Sequence, residues 1–129
     1  IAALLGFKLV VNIESSEASV ATGLKLAEGL KLQNFQAQQT LIDDKCFDVV
    51  SCHQVIEHFN HPEELLRLLK PTMHQESLLF LTTGFHCFPH PGHFSYNDSV
   101  SELLISEGFK ILEGSDNPAG GLFVLKKHV

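Results

Sequence analysis

Four polar side chains, His53, Gln54, Glu57 and His58, fall within six positions of one another. An imidazole beside a carboxyl group is the material of proton transfer, because histidine changes charge near neutral pH and a carboxylate can orient it or share the proton. The same groups are also ligands for a divalent cation. A second set, His86, Cys87, His90 and His93, places four metal-capable side chains in eight residues, with Pro89, Pro91 and Gly92 between them. Their spacing fits no standard zinc site, so the segment reads first as a loop of pH-sensitive polarity and only second as a metal site. For the first set the plain alternatives are a solvated helix start and a structural hydrogen-bonded pair of Glu57 with His58.

A strand must position the first set. Phe47, Val49 and Val50, followed by Ser51 and Cys52, form a short apolar run without Gly or Pro, as expected for a strand buried on both faces. In open α/β sheets, ligands bind at the carboxyl ends of such strands. The clearest helix follows. Asn60 or His61 caps it, Pro62 occupies its first turn, Glu63 and Glu64 sit at the positive end of its dipole, and Lys70 and Pro71 close it. Leu65, Leu66, Leu68 and Leu69 supply its buried face, and Glu63 and Arg67 are spaced for an i,i+4 pair.

Upstream, residues 1–5 read as the last turn of an apolar helix with Gly6 at its C-cap. Residues 8–13 read as a strand ending at Glu14, and residues 17–32 as a helix capped by Ser16 and weakened by Gly23 and Gly29. A short strand is expected near 35–39. Downstream, 77–83 is a strand ended by Gly84. Ser95 resembles a helix cap with Asp98 at the third helical position, leading to Gly108. Strands at 109–112 and 122–125 are joined by a turn through 116–121.

With 129 residues the chain is one domain at most, and 44% hydrophobic against 19% charged residues argues for a packed core rather than disorder. A formal net charge of -6, with scattered Lys and Arg, disfavours a duplex nucleic-acid substrate. No apolar run reaches the ~18 residues of a membrane span, and the N-terminus lacks the basic flank and cleavage pattern of a signal peptide. Three cysteines, Cys46, Cys52 and Cys87, without C-x-x-C spacing fit reduced thiols, with Cys52 a small core hydrophobe. The expected location is cytoplasmic.

The run FDVV leading to Val55, Ile56, Glu57 and His58 resembles the fourth strand and following loop of class I S-adenosylmethionine (SAM) dependent methyltransferases. The likeness is to the branch that includes the ubiquinone-biosynthesis O-methyltransferases. Glu14 at a strand end, Leu69-Lys70-Pro71 after a helix, and a final strand pair following Gly108-Phe109 fall in that family's order. The resemblance implies an α/β fold with a Rossmann-like, mostly parallel sheet and an antiparallel final strand. It implies SAM as cofactor and a small-molecule acceptor methylated on O, N or C. It gives Glu14 the ribose hydroxyls, where the plain alternative is a helix-start acid favoured by the macrodipole. Ser15 lies beside it, and the backbone of His53 falls near the cofactor. His58 becomes the base, with Glu57 as its orienting or acidic partner.

Three departures stand out. Where the family carries an adenine-contacting acid after the third strand, this chain has Gln36, Gln38 and Gln39, with Asp43 and Asp44 the nearest acids. Some relatives hold a divalent ion on an E-x-x-E-H pattern. Gln54 replaces the first acid here, which leaves Glu57 and His58 with His93 as a third candidate, and no metal is assigned. Finally, the family's first strand and its G-x-G-x-G loop have no counterpart. Together with the Ile1 start, this predicts a single but N-terminally truncated methyltransferase domain over 1–129. A degenerate binding module without catalysis and a metal-dependent variant are the alternatives. Sheet edges exposed in such a fragment would favour pairing with a second copy, a homodimer.

Overall fold

The computed structural model describes residues 2–41, 45–85, 91–115 and 120–128. They divide into two compact units, Ile1–Ile42 and Asp43–Val129.

The first unit is a βαβ element. β1 (Val10–Ile13) and β2 (Phe35–Gln38) pair in parallel, Val10 opposite Phe35 and Ile13 opposite Gln38, with α1 (Glu17–Gly29) between them in the chain. Ser16 caps α1 as its side-chain oxygen accepts from the Ser19 N–H at 3.1 Å. The expected end at residue 32 comes earlier. Lys31 turns left-handed at φ 55, and the Lys31 and Leu32 N–H groups bond back to the Glu28 and Ala27 carbonyls at 2.9 Å each. These two bonds satisfy carbonyls that a longer helix would have used. Before β1, Ala2–Leu5 forms a 3-10 turn followed by Gly6 at φ 89. The Asn34 side chain donates to the Ala3 and Phe7 carbonyls at 3.0 and 2.7 Å, which ties this turn to the start of β2.

The second unit is a four-stranded sheet in the order β3-β4-β6-β5. β3 (Phe47–His53) and β4 (Met73–Thr82) run parallel, while β6 (Leu122–Lys127) is antiparallel to both β4 and β5 (Phe109–Ser115). α2 (Pro62–Leu69) and α3 (Val100–Ser106) contribute Leu65, Leu66, Leu69, Val100 and Leu104 to one core with Cys52, Leu79, Leu81, Phe123 and Leu125. Each such aliphatic side chain contributes about 1.5–3 kcal/mol by leaving water. β4 alternates accordingly, with Ser77, Leu79 and Leu81 buried and Leu78, Phe80 and Thr82 only partly so.

Several expectations change here. β3 is not buried on both faces: Cys52 is its one buried residue, and Val49, Ser51 and His53 are exposed. The core lies on the Cys52 side, and successive strand side chains must point to opposite faces. Leu68 is 51% exposed, because the buried stripe of α2 runs through Pro62, Leu65, Leu66 and Leu69. Arg67 bonds Glu107 across the fold, with Nη2 to Oε1 at 2.7 Å and Nε to Oε2 at 3.0 Å, rather than pairing with Glu63. That fork holds the Glu107 carboxyl below its usual range and the guanidinium above its own. α3 starts later than expected, with Ser99 rather than Ser95 at its cap. The Ser99 hydroxyl accepts from the Glu102 N–H at 3.3 Å, and burial of Val100 and Leu104 sets the helix phase. Asp98 lies outside the helix. His61 occupies the cap position of α2 without a side-chain capping hydrogen bond, and Pro62 stands in its first turn.

The strand pairing between Phe47 and Val49 is irregular, with partners moving from Met73 to Leu78. Ser77 fills the gap by accepting from the His74 N–H at 2.8 Å and donating to the Phe47 carbonyl at 2.6 Å. After α2 the chain makes a 3-10 turn over Lys70–Thr72, closed by the Thr72 hydroxyl on the Leu69 carbonyl at 2.7 Å.

Candidate active site

At the carboxyl end of β3 the chain reverses through Gln54, which takes the left-handed φ of 53. Its N–H lies 3.3 Å from the Thr82 carbonyl and 3.1 Å from the Thr82 hydroxyl oxygen, so the reversal is pinned to the end of β4. A 3-10 turn, Ile56–His58, follows, anchored by the fully buried Ile56. This turn presents Glu57 inward and His58 outward.

Glu57 is 0% exposed, and neither carboxyl oxygen has a hydrogen-bond partner among the described residues. Gly84, just past β4, makes room for it. A Cβ at that position would stand 2.7 Å from Glu57 Oε1 and 2.9 Å from Gln54 Oε1, so any side chain there would displace both polar groups. Segment 92–94 lies across the turn. The Phe94 N–H donates to the Glu57 carbonyl at 2.8 Å, and His58 Nδ1 lies 2.9 Å from the Gly92 carbonyl. A carbonyl only accepts, so Nδ1 carries the proton, and in the neutral ring Nε2 holds the lone pair. The His93 ring meets His58 edge-on, with centroids 4.6 Å apart and planes at 85°. One ligand atom from each of Glu57, His58 and His93 lies within 4.8 Å of the others. Cys52, beneath this turn, is pushed up to about 11 by burial and secondarily by Glu57, so it stays a thiol.

In the first unit, Glu14 follows β1 directly, and its N–H donates to the Gln38 carbonyl at 3.0 Å. Its half-buried carboxyl borders an open depression of ≈ 390 Å³ shared with Asn12, Ala18, Ser19, Thr22 and Gly23. Ser15 is exposed in the turn to α1, where its carbonyl accepts from Gln39 Nε2 at 3.1 Å. A half-exposed carboxyl at a strand's carboxyl end, facing a depression of this size, fits the recognition of a sugar diol.

A profile described as methyltransferase domain matches residues 1–81. The chain belongs to that methyltransferase domain family. The ubiquinone biosynthesis O-methyltransferase of Glaesserella parasuis serovar 5 (strain SH0165) is 28% identical over 54 residues, which are 42% of this chain and 23% of that enzyme. The chain therefore aligns with under a quarter of the curated relative it matches. Among solved structures, the [4+2]-cyclase SpnF superposes with a TM-score of 0.82 at 14% identity, covering 99% of this chain and 69% of that one. A SAM dependent methyltransferase from Aquifex aeolicus superposes at 0.68 and 14% identity, covering 94% and 69%. Such low identities show a shared fold, the Rossmann-like α/β fold of the class I SAM-dependent methyltransferases, and the cyclase illustrates that this fold hosts other chemistry.

Among the described residues β2 lies beside β1 in one sheet, and β3-β4-β6-β5 with β6 reversed form the other. Of the residues expected at the site, Glu57 and His58 come together with His93. The side chain of His53 does not join them. It lies on the exposed face of β3, with Nε2 2.7 Å from Ser51 Oγ and Nδ1 3.3 Å from Thr82 Oγ1. Glu14 and Ser15 form part of the first unit. His86, Cys87 and His90, like Asp43 and Asp44, lie outside the described residues. Sequence reading missed the space left by Gly84 and the Gly92 carbonyl that fixes His58. The only signal for either was a glycine beside a strand end or a histidine.

No helix among the described residues is long and apolar enough to cross a membrane.

Proposed function

We propose that this chain forms part of a SAM-dependent methyltransferase that methylates a small molecule on O, N or C, with His58 as the base that takes the acceptor's proton. SAM supplies the electrophilic methyl group, and the protein must align the acceptor and accept a proton where one is lost. The observation that carries this reading is the bond from His58 Nδ1–H to the Gly92 carbonyl, which leaves Nε2 as the acceptor on an exposed residue. Glu57 sits behind it in the same turn. Glu14 is assigned to the ribose hydroxyls, with Ser15 and the His53 backbone beside the cofactor.

Calorimetric titration with S-adenosylhomocysteine tests the cofactor half. Saturable binding is expected, weakened about 10–100-fold in Glu14→Ala, since each hydrogen bond to a charged group is worth about 1.5–3 kcal/mol. An unchanged affinity in the variant would remove Glu14 from the site.

A second reading is favoured by the convergence of Glu57, His58 and His93 and by a buried carboxyl group without a described donor. Two imidazoles and one carboxyl could hold a divalent cation, and with nitrogen donors in the majority such a set suits Zn²⁺ or Co²⁺ better than Mg²⁺. Its chemistry would be to orient and polarise the acceptor oxygen. Titration with Co²⁺, followed by its visible absorption, should then saturate at one equivalent and fail in Glu57→Gln. A featureless spectrum in both proteins leaves the cluster to proton chemistry.

A further inference from the structure

Asn12 and Glu14 stand two apart at the end of β1, and this spacing puts their side chains on one face. Asn12 Nδ2 donates to Glu14 Oε1 at 3.1 Å. Both border the depression over α1, whose other polar groups are partly committed. The Thr22 hydroxyl donates to the Ala18 carbonyl at 2.9 Å, and Ser19 Oγ accepts from the Ser16 hydroxyl at 2.9 Å. What remains for a ligand is the carboxyl of Glu14, the rest of the Asn12 amide and the Ser19 hydroxyl hydrogen. The amide offers two N–H donors and one acceptor oxygen, of which Glu14 uses a single donor. No other hydrogen bond to the Glu14 side chain is seen among the described residues.

We propose that Asn12 is a positioning residue for Glu14: by tethering Oε1 it fixes the carboxyl plane so that both oxygens address a vicinal diol, giving the site a preference for ribose over deoxyribose. The inference rests on the assignment of Glu14 to the ribose. A free carboxyl samples rotamers and must be ordered on binding, and a tether formed beforehand removes part of that cost. An aspartate at position 12 would instead turn an acceptor toward an acceptor, with like charge at close range.

The test is calorimetric titration of the chain with S-adenosylhomocysteine and with its 2′-deoxy analogue, in wild type, Asn12→Asp, Asn12→Ala, Glu14→Gln and the Asn12→Ala/Glu14→Gln double variant. Thermal melts report folding of each. The expected result is a loss of about tenfold for the ribose ligand in Asn12→Ala and more in Asn12→Asp, with little change for the deoxy ligand. The Asn12→Ala loss should disappear in the Glu14→Gln background, as coupled residues require. Equal losses for both ligands, or a loss that persists without Glu14, would show that Asn12 merely supports the strand and would overturn the proposal. Binding by wild type that neither Asn12 variant alters would overturn it alone, while the ribose assignment would stand. Absence of binding by wild type would overturn both.

Discussion

Replacing His58 with alanine is expected to lower kcat for methyl transfer by about 10²–10⁴-fold, the usual worth of a positioned general base, with little change in S-adenosylhomocysteine affinity. The ring is fixed at one nitrogen by the Gly92 carbonyl and presents the other. The variant therefore loses the acceptor atom, while segment 92–94 keeps its backbone bond from Phe94 to Glu57. Added imidazole should restore part of the rate if the missing function is chemical. Turnover measured as S-adenosylhomocysteine release, with and without imidazole, separates the two roles. A variant that retains kcat, or that loses cofactor affinity as much as rate, would place His58 in a structural role.

Glu57 should behave in the opposite way toward stability. A carboxyl group withdrawn from water without a hydrogen-bond donor opposes folding, and replacing such a group with an apolar one of similar shape can stabilise. Glu57→Met is therefore expected to raise the unfolding free energy by about 1–3 kcal/mol in urea titrations while abolishing turnover. Gain of stability with loss of activity is the signature of a group retained for function. If Glu57→Met instead lowers stability by a similar amount, the carboxyl is a satisfied structural element and the active-site assignment falls.

The elements of the fold were legible because they depend on local pattern. Ser16 before a helical run, Pro62 in a first turn, and Gly108 before Phe109 each act within a few residues. What failed depended on distant partners. Nothing near Arg67 announces Glu107, forty positions away, whereas Glu63 at i,i+4 is a partner visible locally. Ser95 and Ser99 are equivalent as caps until burial of Val100 and Leu104 chooses between them. β3 looked doubly buried because its composition is apolar, but which faces of a sheet are covered is decided by the packing of helices. At the site, Glu57 and His58 were named from adjacency, whereas Gly84 and Gly92 matter through space and carbonyl direction, properties with no side-chain signature.

The reversed strand carries a consequence for synthesis. β6 lies between β4 and β5, both of which precede it in the chain. As the polypeptide leaves the ribosome, β4 can pair only with β3 on one side, and β5 has no partner until β6 follows. β4 must wait with one row of hydrogen-bonding groups open, the geometry that recruits foreign strands. Closure comes late, when Phe123 and Leu125 arrive and complete the core. Nascent chains paused before residue 122 should therefore be the species most dependent on chaperone protection.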